Sequence, residues 1–124
     1  MSKFVQVQTE LRDLEVVRRV LAEQRIPFQE NTVYLHRWSG RREPVALLLR
    51  HRGASFGLRP GKDGALELVG DDMAMGHGRE LLKRLQQRYA YHFVRAQVEA
   101  AGFELVEEKV DHNQVIRLTV RRWG

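Results

Sequence analysis

Leu82-Lys83-Arg84-Leu85-Gln86-Gln87-Arg88-Tyr89-Ala90-Tyr91-His92-Phe93-Val94-Arg95-Ala96-Gln97-Val98-Glu99-Ala100 is the stretch that decides the fold class of this chain. Leu82, Leu85, Tyr89, Phe93, Ala96 and Ala100 recur at spacings of three and four, which predicts one core-facing helical stripe. The helix is predicted from Arg79 onward, with Gly102 as the glycine just past its end. Phe103 to Val110 and Gln114 to Arg122 then alternate as the strands of an antiparallel hairpin through Asp111-His112-Asn113. In the second of these strands Ile116, Leu118 and Val120 point one way, while Arg117, Thr119, Arg121 and Trp123 point the other.

Working outward from that helix, the upstream sequence alternates strand and helix signals. Val5, Val7 and Thr9 share a face of an opening strand, and Asp13 caps a helix from Leu14 to about Arg25, stopped by Pro27. Val33 to Trp38, the loop Ser39 to Pro44, and Val45 to Arg50 read as two strands and their connection. The second of these is apolar on both faces through Leu49, which predicts a central position. Ala54 to Arg59 and Ala65 to Val69 make a hairpin across Pro60-Gly61-Lys62-Asp63-Gly64, and Gly70 to Gly78 reads as a flexible loop. The predicted class is therefore α+β in the order β-α-β-β-β-β-α-β-β. It has a mainly antiparallel sheet of about six to seven strands and two helices packed on one face. The whole chain, residues 1–124, is expected to form one domain.

Composition excludes several classes. With 43% hydrophobic and 30% charged residues the proportions are globular, and Val45 to Leu49, the longest apolar run, is far short of a membrane span. Met1-Ser2-Lys3-Phe4 lacks the apolar core of a secretory signal, so the cytoplasm is expected. The absence of cysteine removes disulfides, thiol catalysis and thiolate metal sites. His36, His51, His77, His92 and His112 show no metal-binding spacing, and no cofactor is expected. Asp71-Asp72 reads as a turn, and neither Ser39 nor Ser55 has a base and an orienting acid in a recognisable motif. No catalytic constellation emerges, so a non-enzyme is expected.

Charge supplies the functional hints. The net charge is +5, yet it is unevenly spread. Arg37, Arg41, Arg42, Arg50, Arg52 and Arg59 share a span whose one acid is Glu43, while Glu99, Glu104, Glu107, Glu108 and Asp111 make the start of the last hairpin acidic. Arg84, Arg88, Tyr91 and Arg95, spaced four, three and four, predict a basic stripe with an exposed phenol, and Glu80 is a candidate to pair with Arg84 one turn on. Trp38 beside Arg37, Arg41 and Arg42, and Trp123 beside Arg121 and Arg122, combine area with directed donors as interface anchors do.

The opening Met1-Ser2-Lys3-Phe4 with Thr9 and Asp13, Phe56-Gly57-Leu58-Arg59, the Leu82 to Tyr91 helix, and Gly102-Phe103 followed by Arg117-Leu118 and Arg122-Trp123 together resemble domain-of-unknown-function family 1257. Its plastid and cyanobacterial members are called hypothetical chloroplast reading frame 35. The resemblance implies a small uncharacterised protein whose gene is expected beside genes for an AAA+ ATPase and another small uncharacterised protein, and it carries no catalytic residues. Two functions are expected from residues and resemblance together. The first is a non-catalytic protein-binding adaptor or subunit, with an AAA+ ATPase or another small subunit as partner. The alternative is a nucleic-acid-binding module using Arg84, Arg88 and Arg95 with the Arg37 to Arg59 cluster, against which the acidic hairpin and the lack of a known binding motif both count.

Overall fold

A computed structural model describes residues 2–113 and 115–122. Gln114, the predicted start of the last strand, and Trp123, one of the two predicted tryptophan anchors, lie outside the described residues. The element order is β1 (Phe4–Gln8), α1 (Leu14–Glu23), β2 (Phe28–His36), β3 (Arg41–His51), β4 (Ala54–Pro60), β5 (Leu66–Asp71), α2 (Met75–Ala100), β6 (Phe103–Val110) and β7 (Ile116–Arg122). This is the predicted α+β order. Among the described residues the strands divide between an antiparallel five-stranded sheet, β1-β5-β4-β3-β2, and the separate hairpin β6-β7. The chain groups into two compact units, residues 1–86 and 87–124, with the boundary inside α2.

In the first unit α1 starts where its cap dictates. The Asp13 carboxylate accepts hydrogen bonds from the backbone N–H groups of Glu15 and Val16, satisfying donors that the first helical turn leaves free. Val17, Val20 and Leu21 are buried, and Arg18 of α1 pairs with Glu30 of β2. On the same side of the sheet the registers Leu47↔Leu58, Leu49↔Phe56 and Leu58↔Leu68 place five large apolar side chains together, all fully buried. Strand β3 is flanked on both sides, as its apolar character requires, although the middle position belongs to β4.

Phe56 explains the glycines of the predicted flexible loop. Gly70 lies within β5, one residue before its end, and α2 begins at Met75 rather than Arg79, so Gly78 is helical. A Cβ at Gly70 would come 2.9 Å from Phe56 Cδ1, and one at Gly78 would come 2.8 Å from Phe56 Cε1. Both glycines are there because strand and helix close onto the same ring. Helix α2 then buries Leu81, Leu82 and Leu85.

The opposite face of the sheet is covered by its own hairpin. Strands β2 and β3 pair from Phe28↔Leu49 to Glu30↔Leu47 and again from Thr32↔Val45 to His36↔Arg41. Between them Asn31 adopts a left-handed conformation, φ 49°, which asparagine tolerates better than most residues. Beyond it the hairpin turns over the sheet, and Tyr34 and Val45 close a second small core with Val69, Phe4 and Leu48. Val45 Cγ1 lies 2.5 Å from where a Gly57 Cβ would stand, which brings the hairpin directly onto the backbone of β4.

In the second unit the helix ends as predicted, with Gly102 at φ 89°. The hairpin registers Leu105↔Val120 and Glu104↔Arg121, with an irregularity between Leu105 and Glu107. The predicted core stripe is corrected here: Phe93 is 53% exposed, and Ala96 and Ala100 are exposed as well. The hairpin meets a neighbouring helical row instead, because Gln87, Tyr91 and Val94 face Val115, Ile116 and Leu118 across a groove. A two-stranded hairpin is too narrow to cover both rows.

The close contacts at Phe56 make a test of the first unit. Gly70→Ala is expected to destabilise the protein by about 2 kcal/mol through overpacking. Combined with Phe56→Leu, it is expected to cost less than the sum of the two changes, because the ring it collides with is gone. Urea unfolding of the three variants measures this, and additive losses would mean that Phe56 does not set the glycine requirement.

Candidate functional site

The tip of the β2-β3 hairpin carries a connected set of polar contacts, and His36 organises it. This side chain is only 2% exposed. Its Nε2 lies 2.7 Å from Asp71 Oδ1, and its Nδ1 lies 2.6 Å from Ser39 Oγ. One arrangement of protons satisfies every atom. Nε2–H donates to the Asp71 carboxylate, the Ser39 hydroxyl donates to Nδ1, and Ser39 Oγ accepts the Arg41 N–H at 3.2 Å. Burial pushes the Asp71 carboxyl up, but hydrogen bonds from His36, from the Met73 N–H and from Ser2 outweigh it, so the group stays below its ordinary range. Tyr34 moves the other way, raised by burial and then by the Asp71 charge.

Sequence spacing assigns Ser39 no base or acid, yet Ser39, His36 and Asp71 come together in the hydrogen-bond order of a hydrolase relay. Ser39 and His36 belong to one turn, three residues apart, and Gly40 N–H donates to His36 O at 2.8 Å across it. The three side chains close this turn and tie it to the end of β5. Sequence alone could not find the link, because Asp71 lies 35 positions from His36 and meets it only after the hairpin has turned over the sheet.

The rigid turn presents Trp38, which is 72% exposed. Val33 and Leu35, next to it on β2, are also more than two-fifths exposed. Between the turn and the β3-β4 connection lies a cleft of about 540 Å³, lined in part by Arg37, Trp38, Leu48, Arg50, Ser55 and Asp71.

The basic cluster of Arg37 to Arg59 does not survive as a single patch, because Glu43 within it and Glu67 and Glu80 from outside take up three of its arginines. Arg41 donates to Glu43 at 2.6 Å and lies over the Phe4 ring, 4.1 Å from its centroid. Arg59, with its side chain largely buried, reaches Glu43 at 2.8 Å and Glu67 at 3.3 Å and also donates to Gln6. Arg52 pairs with Glu80 at 2.9 Å. Arg37, Arg42 and Arg50 have no ion-pair acid among the described residues.

The helical stripe is also engaged. Glu80 takes Arg52 and His51 rather than Arg84, and Arg84 donates to Gln24 Oε1 at 2.8 Å. In the second unit Arg88 pairs with Glu108 at 3.0 Å and stacks on Tyr91, 4.3 Å from the ring centroid. Arg95 donates to Glu99 at 3.0 Å and to the Tyr91 hydroxyl at 3.1 Å. Tyr91 is 6% exposed, which corrects the expected exposed phenol: the hairpin docks on its row of the helix and covers it.

A family model described as protein of unknown function (DUF1257) matches residues 20–119. The chain is 25% identical over 127 aligned residues to "Uncharacterized protein ycf35" of Pyropia yezoensis, covering 100% of this chain and 99% of the relative. The protein of the same name from Cyanophora paradoxa is 28% identical over 127 residues, covering 99% and 98%. That of Guillardia theta is 43% identical over 42 residues, covering 34% and 33%. No solved structure matches the chain. Among the described residues no helix is long and apolar enough to cross a membrane.

The Arg41-Glu43-Arg59 group beneath the turn makes a pH prediction. Glu43 is held below its ordinary carboxylate value chiefly by the Arg41 hydrogen bond, with burial opposing and Arg59 assisting. A carboxyl whose folded pKa is depressed stabilises fully above its unfolded pKa, and the contribution is lost as pH falls through the folded value. Glu43→Gln is therefore expected to lower stability by about 2 kcal/mol at pH 7. The gap from the unmodified protein should close below about pH 4. Denaturant titrations at several pH values measure it, and a pH-independent gap would show that the charge of Glu43 is not the source.

Proposed function

The chain belongs to the DUF1257 family of proteins of unknown function, and from its own geometry we propose that it is a non-catalytic protein-binding subunit of the cytoplasm. Its contact surface is the hairpin tip around Trp38. The observation that carries this reading is an exposed tryptophan on a turn fastened from beneath by a buried histidine. An aromatic anchor held in place before binding loses little freedom when a partner covers it. Such residues dominate interface energetics far out of proportion to their area.

The surroundings support the same reading. Val33 and Leu35 extend the apolar area, and Arg37 and Arg42 border it as polar donors, the usual arrangement of an interface core and its rim. The AAA+ ATPase implied by the family resemblance is the first candidate partner, and a second small subunit is the next. A nucleic-acid module has weaker support, since Arg88 and Arg95 already meet carboxylates and Arg84 is bound to Gln24.

Affinity purification of the tagged protein from its own cell is expected to retrieve a defined protein that survives nuclease treatment. Trp38→Ala should weaken that complex by about 2 kcal/mol, roughly 30-fold in Kd, with the unfolding curve unchanged. Recovery of nuclease-sensitive nucleic acid, or capture indifferent to Trp38, would overturn the reading.

A further inference from the structure

We infer that the cleft beside Trp38 receives a carboxylate-bearing extended segment of a protein partner, with Arg37 and Arg50 reading the carboxylate and Trp38 and Leu48 seating an adjacent apolar side chain. This rests on the protein-binding reading and adds the chemistry of what is bound.

Of the six arginines from Arg37 to Arg59, three are matched by Glu43, Glu67 and Glu80. Arg37 and Arg50 have no such acid among the described residues, and both line the same concave site. The one carboxylate on its wall is already committed, because Asp71 Oδ1 is bonded to His36 and Oδ2 accepts the Met73 N–H at 3.1 Å. It cannot turn to either guanidinium without releasing the hairpin tip. Two arginines on separate segments therefore converge on a recess without an internal counter-ion, and Arg is the residue best shaped to hold a planar carboxylate.

A volume of about 540 Å³ is several times that of a lone carboxylate and within the range that takes a few residues' worth of ligand. Trp38, Leu48, Val33 and Leu35 supply apolar wall, so an occupant carrying only charge would leave that wall unused. Asp71 opposes a second negative charge on the same group, which favours a singly charged carboxylate over a phosphate dianion. Acid next to apolar residue in an extended chain meets both demands, since alternate side chains point to opposite sides.

The test is to pan a display library of random nine-residue peptides on the full-length protein. Sequences with aspartate or glutamate adjacent to a large apolar residue are expected to be enriched. A synthetic, capped peptide of the winning sequence should bind at least tenfold more tightly than its amide counterpart, with glutamine or asparagine for the acid. Arg37→Gln and Arg50→Gln should each weaken it at least tenfold while leaving the unfolding curve in place. Inorganic phosphate at equal concentration should compete no better than acetate. No enrichment, enrichment without acids, equal binding of the amide peptide, indifference to both arginine variants, or strong competition by phosphate would each overturn the inference. The carboxylate chemistry and the protein-binding function fail in different ways. If Trp38→Ala abolishes peptide binding and partner capture while the arginine variants do not, the carboxylate chemistry alone falls; if Trp38→Ala changes neither, the protein-binding function falls with it.

Discussion

The first unit depends on one bend. Its sheet is apolar on both faces, with Leu47, Leu49, Phe56, Leu58 and Leu68 toward the helices and Leu48, Val69 and Phe4 on the other side. Two helices can cover only the first. The β2-β3 hairpin covers the second by turning over at Asn31, and the absence of a side chain at Gly57 lets Val45 descend onto β4. Without that bend His36 would have no route to Asp71, and the Trp38 turn would project without an anchor.

The same bend redistributes charge. Arg41 and Arg59 converge on Glu43 because the turned hairpin brings the start of β3 above β4 and β5, where Glu67 also stands. Glu43, Arg59 and Glu67 are largely buried and Arg41 is half exposed, so these pairs are held by geometry as much as by attraction, and removing a single partner costs more than the pair contributes. What remains outside this network, Arg37, Arg42 and Arg50, is the residue of basic charge that the fold leaves available around the tip. The charge that matters for recognition is thus what is left after internal pairing.

Several features are legible in the amino-acid sequence. The Asp13 cap, the Gly102 helix end, the β-α-β-β-β-β-α-β-β order and the last hairpin follow from local rules of periodicity and capping, and each is present. Trp38 and its arginine neighbours stand out as candidates for a similar reason, since a tryptophan among arginines in a loop is an exception to burial. The Gly70 to Gly78 segment misleads because glycine serves two purposes. Read as a flexible loop, it is where strand and helix press against Phe56. Phe93, Ala96 and Ala100 mislead because periodicity shows that a helix has an apolar row and not which row a narrow hairpin will choose.

The sequence by itself determined the elements, their order and the surplus of positive charge, because capping, turn chemistry and hydrophobic period act between residues a few positions apart. Only the tertiary structure decided which arginines are taken up by internal carboxylates, that Ser39, His36 and Asp71 fasten one turn, and that Tyr91 is covered while Trp38 stands out. The decisive links among them, His36 to Asp71, Arg52 to Glu80 and Arg59 to Glu43, join partners 16 to 35 positions apart in the chain, and the rest turn on shorter pairings or on which helical row a hairpin meets. Chain distance carries no direct information about such encounters. They exist only once the backbone has bent.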